Sequence, residues 1–446
     1  MPENGVNRGT LSLEWGQFHR IAIAAGKAHD AGPFLCRNQM TPRTTPPARP
    51  AKRRNTAPKP VLTPELAPAI RPEAAPLAAD PTRMEIFLIA TPGLEQPLAE
   101  ETRALGYDAQ IQPGGVTFTG GWPDVWRANL HLRGATRVLA RIGAFRAMHP
   151  AQLDKRARRF PWSDWLRPDV ALRLEATSRK SRIYHAGAIT QRIEAAIRDS
   201  LGAAFAEDAP LTLKVRLEDD LCTLSLDTSG ESLHKRGHKQ AVGKAPMRET
   251  MAAMFLRECG FDGSEPVLDP MCGSGTFVIE AAEMAAGLAP GRLRNFAFQH
   301  FPGYDDEAWR ALHRAGPVSA PDLMFHGSDR DPGAIRMSRE NAERAGVAGW
   351  TRFETCAFAD LQRPEGPPGL VMINPPYGAR IGNKGPLFGL HAAMGEVLRS
   401  RFRGWRVGLV TSEAQLARAT GLPFREPGPY VAHGGLKVRL WQTNAL

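Results

Sequence analysis

The chain is poor in cysteine. Cys36, Cys222, Cys259, Cys272 and Cys356 are the only five in 446 residues, and their spacing fits neither a metal site nor a disulfide framework. Reduced thiols in the cytoplasm, with no metal, are the expectation. No apolar run nears the roughly 20 residues that a membrane-spanning helix needs, so no membrane partner is expected. The N-terminus is polar, and Ile21 to Ala25 is too short for the apolar region of a signal peptide. The Lys-Ser/Thr pair of a phosphate loop is missing. Val278 stands where the dinucleotide fingerprint has its third glycine. Together these gaps argue against secreted, metal-dependent, membrane, NAD-binding and phosphate-loop classes.

What is present is positive charge. The net charge is +11 and the pI about 9.7, which suits a polyanionic partner. However, residues 1–83 hold 12 Lys/Arg against 6 Asp/Glu, so much of the excess lies in a tail. Ten prolines fall in residues 41–80, a composition that cannot build a packed core and predicts a disordered, partly polyproline tail. Residues 11–36 read at most as a marginal helix. Met84 opens the first convincing strand, Glu85 to Ala90, and is expected near the start of the fold and as a candidate start of translation.

Beyond Met84 strands and helices alternate. A helix over Leu94 to Leu105, a glycine-bounded strand Gly114 to Gly121, a helix Pro123 to Leu132 and a strand Arg137 to Ile142 suit a small α+β module. Leu172 to Ala176, a helix near Ala188 to Leu201, Leu211 to Leu217 and Cys222 to Leu226 suit a second. The second carries the basic cluster Arg179, Lys180 and Arg182, with Lys155, Arg156, Arg158 and Arg159 nearby. Such a run reads either as a solvated face or as a contact for phosphates.

The third region is the most informative. Pro266 to Leu268 reads as a strand. Asp269-Pro270-Met271-Cys272-Gly273-Ser274-Gly275-Thr276 follows, then a run from Phe277 to Ala286 with helical spacing. Strand, glycine loop and helix form a nucleotide-binding layout, and Gly273 and Gly275 permit a tight turn and close approach. The acid that opens the loop suits an amine-bearing or cationic ligand. A second strand, Leu323 to Ser328, ends at Asp329, which is placed to accept ribose hydroxyls. Asp331 precedes Pro332 and is assigned to capping the next helix. Between them, Leu288 to Pro321 reads as an insertion whose aromatics pack rather than bind cofactor.

Gly369 to Ile373 is a buried strand, and Asn374-Pro375-Pro376-Tyr377 sits at its C-terminal end, where open α/β sheets hold ligands. The Asn374 amide oxygen and the Pro375 carbonyl can accept both hydrogens of an exocyclic NH2. The prolines fix φ, and Tyr377 offers a stacking face. The same four residues also read as a plain turn.

These three stretches resemble a class I S-adenosylmethionine-dependent methyltransferase of the amino-methylating type. More narrowly, the chain resembles the THUMP-domain RNA guanine-N2 methyltransferases, and among them the bacterial 23S rRNA family. Leu226-Asp227-Thr228-Ser229-Gly230, Leu233-His234-Lys235-Arg236-Gly237, Ala245-Pro246-Met247-Arg248-Glu249-Thr250 and Gly434 to Leu440 also carry the resemblance. It implies a disordered tail over 1–83, a ferredoxin-like module over 84–145, a THUMP domain over 146–230 and a Rossmann-like methyltransferase domain over 231–446.

By the same resemblance, Asp269, Pro270, Cys272, Gly273, Ser274, Gly275, Thr276, Asp329, Arg330 and Asp360 would hold S-adenosylmethionine. Asn374, Pro375, Pro376 and Tyr377 would hold the base, and Lys235 and Arg236 would join the RNA-contacting residues. RNA, above all 23S rRNA, is the expected partner, and DNA is not. Two departures stand out. The acid after the third strand falls late, at Asp360, so Ala357 or Phe358 could serve the adenine instead. Ala379 replaces an acid common in relatives. The alternatives are a tRNA guanine-N2 enzyme, an adenine-N6 enzyme and a non-catalytic RNA-binding assembly factor. The chain ends after one methyltransferase domain, so a second activity is not expected.

Overall fold

The computed structural model describes residues 83–240, 247–314, 319–376 and 385–446. The proline-rich tail, Ala245-Pro246, Tyr377, Ala379 and Arg380 lie outside the described residues.

The N-terminal half begins with β1 (Met84–Ile89), α1 (Glu95–Ala104), β2 (Gln110–Gln112), β3 (Gly115–Gly120), α2 (Trp122–His131) and β4 (Arg137–Arg146). β1 is central and pairs antiparallel with both β3 and β4. Leu94 and Leu98, one helical turn apart, are buried beside α1, as the spacing predicts. α2 starts with Pro123 in its first turn, and the Asp124 carboxylate accepts the Gly121 N–H at 2.9 Å.

The chain continues through α3 (Pro150–Arg158), β5 (Leu172–Arg179), α4 (Ala186–Leu201), β6 (Leu211–Glu218) and β7 (Leu221–Asp227). α4 buries Ile189, Ile193, Ala196 and Ile197, a stripe at helical spacing, and ends at Gly202 with φ 77°. β6 and β7 form a hairpin whose two turn residues, Asp219 and Asp220, both have positive φ (49° and 62°). That geometry follows strand twist and tolerates Asp better than most side chains. β7 then pairs with β4 from Leu139 to Arg146. The two modules read separately in the sequence therefore share one seven-stranded sheet, ordered β2-β3-β1-β4-β7-β6-β5. This pairing carries β4 four residues past the expected Ile142.

The C-terminal half comprises α5 (Glu249–Glu258), β8 (Val267–Asp269), α6 (Thr276–Ala285), α7 (Asp306–Arg314), β9 (Phe325–Asp329), α8 (Pro332–Ala345), β10 (Thr351–Thr355), β11 (Leu370–Ile373), α9 (Gly385–Arg401), β12 (Arg406–Thr411), α10 (Ala414–Ala419), β13 (Val431–His433) and β14 (Leu436–Gln442). Its sheet is ordered β10-β9-β8-β11-β12-β14-β13. β10, β9, β8, β11 and β12 are parallel, and β14 runs antiparallel to β12. Strand order reverses at β8, so the loops after β8 and β11 flank the switch point where doubly wound sheets bind ligands. All four residues of β11 are buried, as expected of a strand covered on both faces.

The insertion after α6 packs as its aromatics suggest. Phe296 stacks on Phe298 at 5.1 Å between ring centroids, and Trp309 meets both edge-on. Phe301 stacks on Trp122 and Tyr304 meets Trp126 on α2. The insertion thereby packs the C-terminal half against the N-terminal half. Among the described residues no helix is long and apolar enough to cross a membrane.

Candidate active site

The loop after β8 turns back on itself at two glycines. Gly273 has φ 55° and Gly275 φ 83°. A Cβ on Gly275 would meet the Ser338 side chain at 3.1 Å and the Phe353 ring at 3.2 Å, whereas one on Gly273 would meet nothing within 4 Å. Gly275 is thus packed against α8 and β10, and Gly273 faces open space. Neighbouring elements hold the loop: the Cys272 N–H donates to the Ser328 carbonyl at 3.0 Å, Ser338 Oγ donates to the Gly273 carbonyl at 2.9 Å, and Asn341 Nδ2 donates to the Ser274 carbonyl at 3.1 Å.

The carboxylates sit as the strand ends dictate. Asp269 pairs with Gly327 across β8 and β9, so Asp329 lies two residues further along the adjacent strand. Asp329 accepts the Gly273 N–H at 3.1 Å through one oxygen and the Asp331 N–H at 3.0 Å through the other. It therefore touches the glycine loop directly. Asp331 caps α8 by accepting the Gly333 N–H at 2.8 Å, the role expected of it. Burial pushes the Asp269 carboxyl up to about 8; the Met271 N–H, donating at 3.0 Å, opposes the shift and the nearby Asp329 carboxylate adds to it. Such a carboxyl becomes an anion readily only when a positive group arrives.

Other assigned residues are less open. Cys272, Ser274 and Thr276 are buried. Thr276 Oγ1 accepts from Lys239 Nζ at 2.9 Å, and Cys272 Sγ lies 3.7 Å from Ser338 Oγ, while burial raises its thiol pKa well above the usual range. Pro270 is buried too. Arg330 and Asp360 are exposed. Asp360 ends a short 3-10 turn that Arg401 Nη1 pins through the carbonyls of Ala359 and Leu361. Phe358 packs in the second hydrophobic core, with Val371 and Ile373 of β11. Its ring is therefore spent on packing and not free to stack on a base.

Asn374 follows the last residue of β11. Its Oδ1 is buried and has no hydrogen-bond partner among the described residues, while Pro375 is buried and Pro376 exposed. A buried amide oxygen without a donor costs on the order of 1–3 kcal/mol, so its presence at a strand end points to a donor brought by a ligand.

Among the basic residues, Lys155, Arg156, Arg158, Arg159, Arg179, Lys180 and Arg182 are exposed. Arg182 contacts the β6–β7 turn directly, and Arg156 is linked to it through Arg146. The Arg182 N–H donates to Asp220 Oδ1, Arg146 Nη1 to the Asp219 carbonyl, and Arg156 Nη1 to the Arg146 carbonyl. Arg158 is already engaged by Asp154 and Asp199.

Lys235 is exposed, but Arg236 is a correction. It is almost wholly buried and binds Glu280 at 3.0 Å and the Leu233 and Arg133 carbonyls at 2.8 Å, so it cannot contact RNA. The stretch from Asp227 to Gly237 is a clamp. Thr228 and Ser229 bond Asn129 and Val138, and Arg294 donates to the carbonyls of Ser229, Glu231, Ser232 and Lys235. No signal in the sequence marked Arg133, Arg294 or Glu280, because each acts through a partner distant in the chain.

Among the described residues no group of three or more His, Cys, Asp or Glu is arranged to hold a metal. Two carboxylates, a glycine loop open on one side and an orphaned amide oxygen, gathered at the switch point, suit a nucleoside cofactor bearing positive charge beside an amine substrate.

Comparison with known proteins agrees with this layout. Residues 85–139 match the RlmL ferredoxin-like domain, residues 150–227 the THUMP domain and residues 236–425 the RMKL-like methyltransferase domain. Protein slr0064 of Synechocystis sp., described as an RNA methyltransferase, is 31% identical over 372 residues, covering 80% of this chain and 96% of that protein. Ribosomal RNA large subunit methyltransferase K/L of Methylococcus capsulatus is 34% identical over 383 residues, covering 81% of this chain and 51% of its own length. The chain thus spans about half the length of the K/L relatives it matches. The crystal structure of the methyltransferase SMU.472 complexed with SAH superposes with a TM-score of 0.74 at 26% identity, covering 82% of this chain and 99% of that one. With these three domains in order and a relative matched over nearly its whole length, the chain belongs to the THUMP-containing, RMKL-like family of S-adenosylmethionine-dependent RNA methyltransferases.

Proposed function

We propose that this protein methylates the exocyclic N2 amine of a guanine in 23S rRNA, in the cytoplasm. The observation that carries the reading is the buried, unpartnered Oδ1 of Asn374 at the C-terminal end of β11. An amide oxygen there can accept one hydrogen of a planar NH2, and the Pro375 carbonyl the other. Two acceptors draw the amine toward a pyramidal geometry and return its lone pair to the nitrogen. Bound S-adenosylmethionine supplies an electrophilic methyl carbon. In this proposal the loop Asp269 to Thr276 seats the methionine part, Asp329 and Arg330 the ribose, and Asp360 lies toward the adenine. Tyr377 stacks on the base. The chain's contribution is alignment and exclusion of water. A base inside a duplex cannot reach a strand end, so the target is unpaired or flipped.

The choice of rRNA follows the names of the K/L relatives, which match 76–81% of this chain. The exposed residues Lys155, Arg156, Arg159, Arg179, Lys180 and Arg182 around the β6–β7 turn supply phosphate contacts that position without reading sequence.

The test is methylation of undermodified rRNA and tRNA pools by the wild type and Asn374→Ala, read by nucleoside mass spectrometry. N2-methylguanosine in 23S rRNA with wild type, at least about 100-fold slower in the variant, is the expected result. The modification in tRNA, or N6-methyladenosine in either pool, would move the enzyme to another substrate. No transfer in any pool, with S-adenosylmethionine bound weakly or not at all, would favour a non-catalytic assembly factor.

A further inference from the structure

We infer that a basic pocket in the insertion of the catalytic half is a second binding site for the RNA backbone, separate from the cluster around the β6–β7 turn. The pocket has a volume of about 410 Å³. Arg292, Arg294, Trp309, Arg310, His313 and Arg314 line it, together with Leu293 and Asn295. It lies beside the C-terminal turn of α6, at the opposite end of that helix from the glycine loop: Arg292 pairs with Glu283 of this turn at 2.7 Å. Base binding at Asn374 leaves it unused.

Three properties point to a phosphodiester chain. First, the cations outnumber their acids. Glu283 engages Arg292 and Asp306 engages Arg310 at 2.8 Å, while Arg294 and Arg314 have no ion-pair partner among the described residues. Second, one charge of the lining is fixed in place. Arg294 donates through Nη1 and Nη2 to four backbone carbonyls and lies over the Phe296 ring at 5.1 Å. It therefore adds positive field to the pocket, and the direct donors to a phosphate are Arg310 and Arg314. Third, the lining is not only charged. Leu293 is 46% exposed beside the buried Trp309, which gives a sugar or base an apolar wall.

The pocket also borders the stretch from Asp227 to Gly237. Gly237, at φ 101°, runs so close to Leu293 that a Cβ there would sit 2.6 Å from the Leu293 carbonyl, and the carbonyl of exposed Lys235 is one of those held by Arg294. Lys235, Arg310 and Arg314 therefore share a neighbourhood in which RNA could follow the insertion. This inference rests on RNA being the substrate, and not on which nucleotide is methylated.

The test uses the full chain with Arg310→Gln and Arg314→Gln together, and Lys at both positions as a conservative control. The probe is a fluorescent RNA hairpin of arbitrary sequence, titrated across salt, with S-adenosylhomocysteine binding measured in parallel. The expected result is RNA binding weakened roughly 5- to 20-fold near 0.1 M salt, with the log–log salt slope shallower by about 1 to 2. The Lys variant should recover most of the slope, and cofactor binding should not change. Equal affinity and slope in the Gln variant would overturn the inference. So would an acidic polypeptide that binds wild type but not the Gln variant while RNA binding is unaffected, since the pocket would then serve a protein partner. If the hairpin result holds but 23S rRNA is not methylated, the substrate proposal fails and the pocket stands.

Discussion

Arg133 Nη1 lies 2.9 Å from Glu280 Oε2, with both side chains almost wholly buried. Arg133 belongs to the loop between α2 and β4, and Glu280 to α6, which begins at the cofactor loop. Arg236 binds the other Glu280 oxygen, and Arg133 also reaches Glu283 at 3.3 Å. Burial alone would raise the Glu280 carboxyl, but Arg236 and Arg133 together hold it below its usual range. The N-terminal half is therefore fixed to the helix that carries the glycine loop. Glu280→Ala should cost about 3–5 kcal/mol, because Arg236 is left buried without its counter-charge and Arg133 keeps only the longer contact to Glu283. Urea unfolding measures it, and a midpoint equal to wild type would refute the network's role.

Asp269 should make both stability and cofactor binding depend on pH. Its folded-state value of about 8 lies above that of an unfolded chain. The folded state then holds a proton that the unfolded state has lost, so stability falls as pH rises from about 4 to about 8 and is flat above. Asp269→Asn should remove this slope and raise the melting temperature of the cofactor-free protein at pH 8 to 9. A ligand that favours the ionised carboxyl binds more tightly as pH rises toward 8 in wild type, and independently of pH in the variant. Calorimetry with S-adenosylhomocysteine at pH 6, 7 and 8.5 checks this, and parallel profiles would rule it out.

The two loop glycines should fail in different ways. Gly275→Ala combines positive φ with close contact on Ser338 and Phe353, and should lower stability by roughly 2 kcal/mol or more. Gly273→Ala has room for its methyl group, so only the backbone term of about 1 kcal/mol applies. Yet that methyl projects on the open side, and cofactor affinity should fall about tenfold or more. Thermal shift and calorimetry separate the effects. Wild-type affinity in Gly273→Ala would place the cofactor elsewhere.

Among the basic residues, charge in the sequence is a poor guide to effect. Lys155→Ala with Arg156→Ala and Arg182→Ala should weaken RNA binding for all sequences alike and flatten its salt dependence. Arg158→Ala should do less, since Asp154 and Asp199 already hold it. Arg236→Ala should chiefly unfold the protein. A filter-binding series beside melting curves distinguishes these, and Arg236→Ala that melts like wild type would contradict the burial argument.

These contrasts mark what a sequence reveals. Asp331 beside Pro332 announces a cap, and the cap is there at 2.8 Å, because capping is decided within three residues. The glycine loop, Asp329 and Asn374 were legible for a similar reason: each follows a short apolar strand, and parallel sheets place strand ends together. Arg236 was misread because it sits in a basic run, Lys235-Arg236, and buried arginines are rare. Only Glu280, 44 residues away, explains its burial. The pairing of β4 with β7 was hidden in the same way. Each strand's own pattern shows an inner and an outer face but does not say which neighbour it will hydrogen-bond.

That pairing has a practical consequence. The boundary expected between residues 145 and 146 cuts a ladder in which Leu139 to Arg146 pairs with Asp227 to Leu221, with one register shift between Arg141 and Gly143. Cutting there would strip the partner from β4 in one fragment and from β7 in the other. Each fragment would display a row of bare N–H and C=O groups flanked by apolar residues, a template for association with other chains. The two modules are thus inseparable for expression: produced apart they should precipitate or pair anew when mixed, and light scattering of the separate and combined fragments would show it.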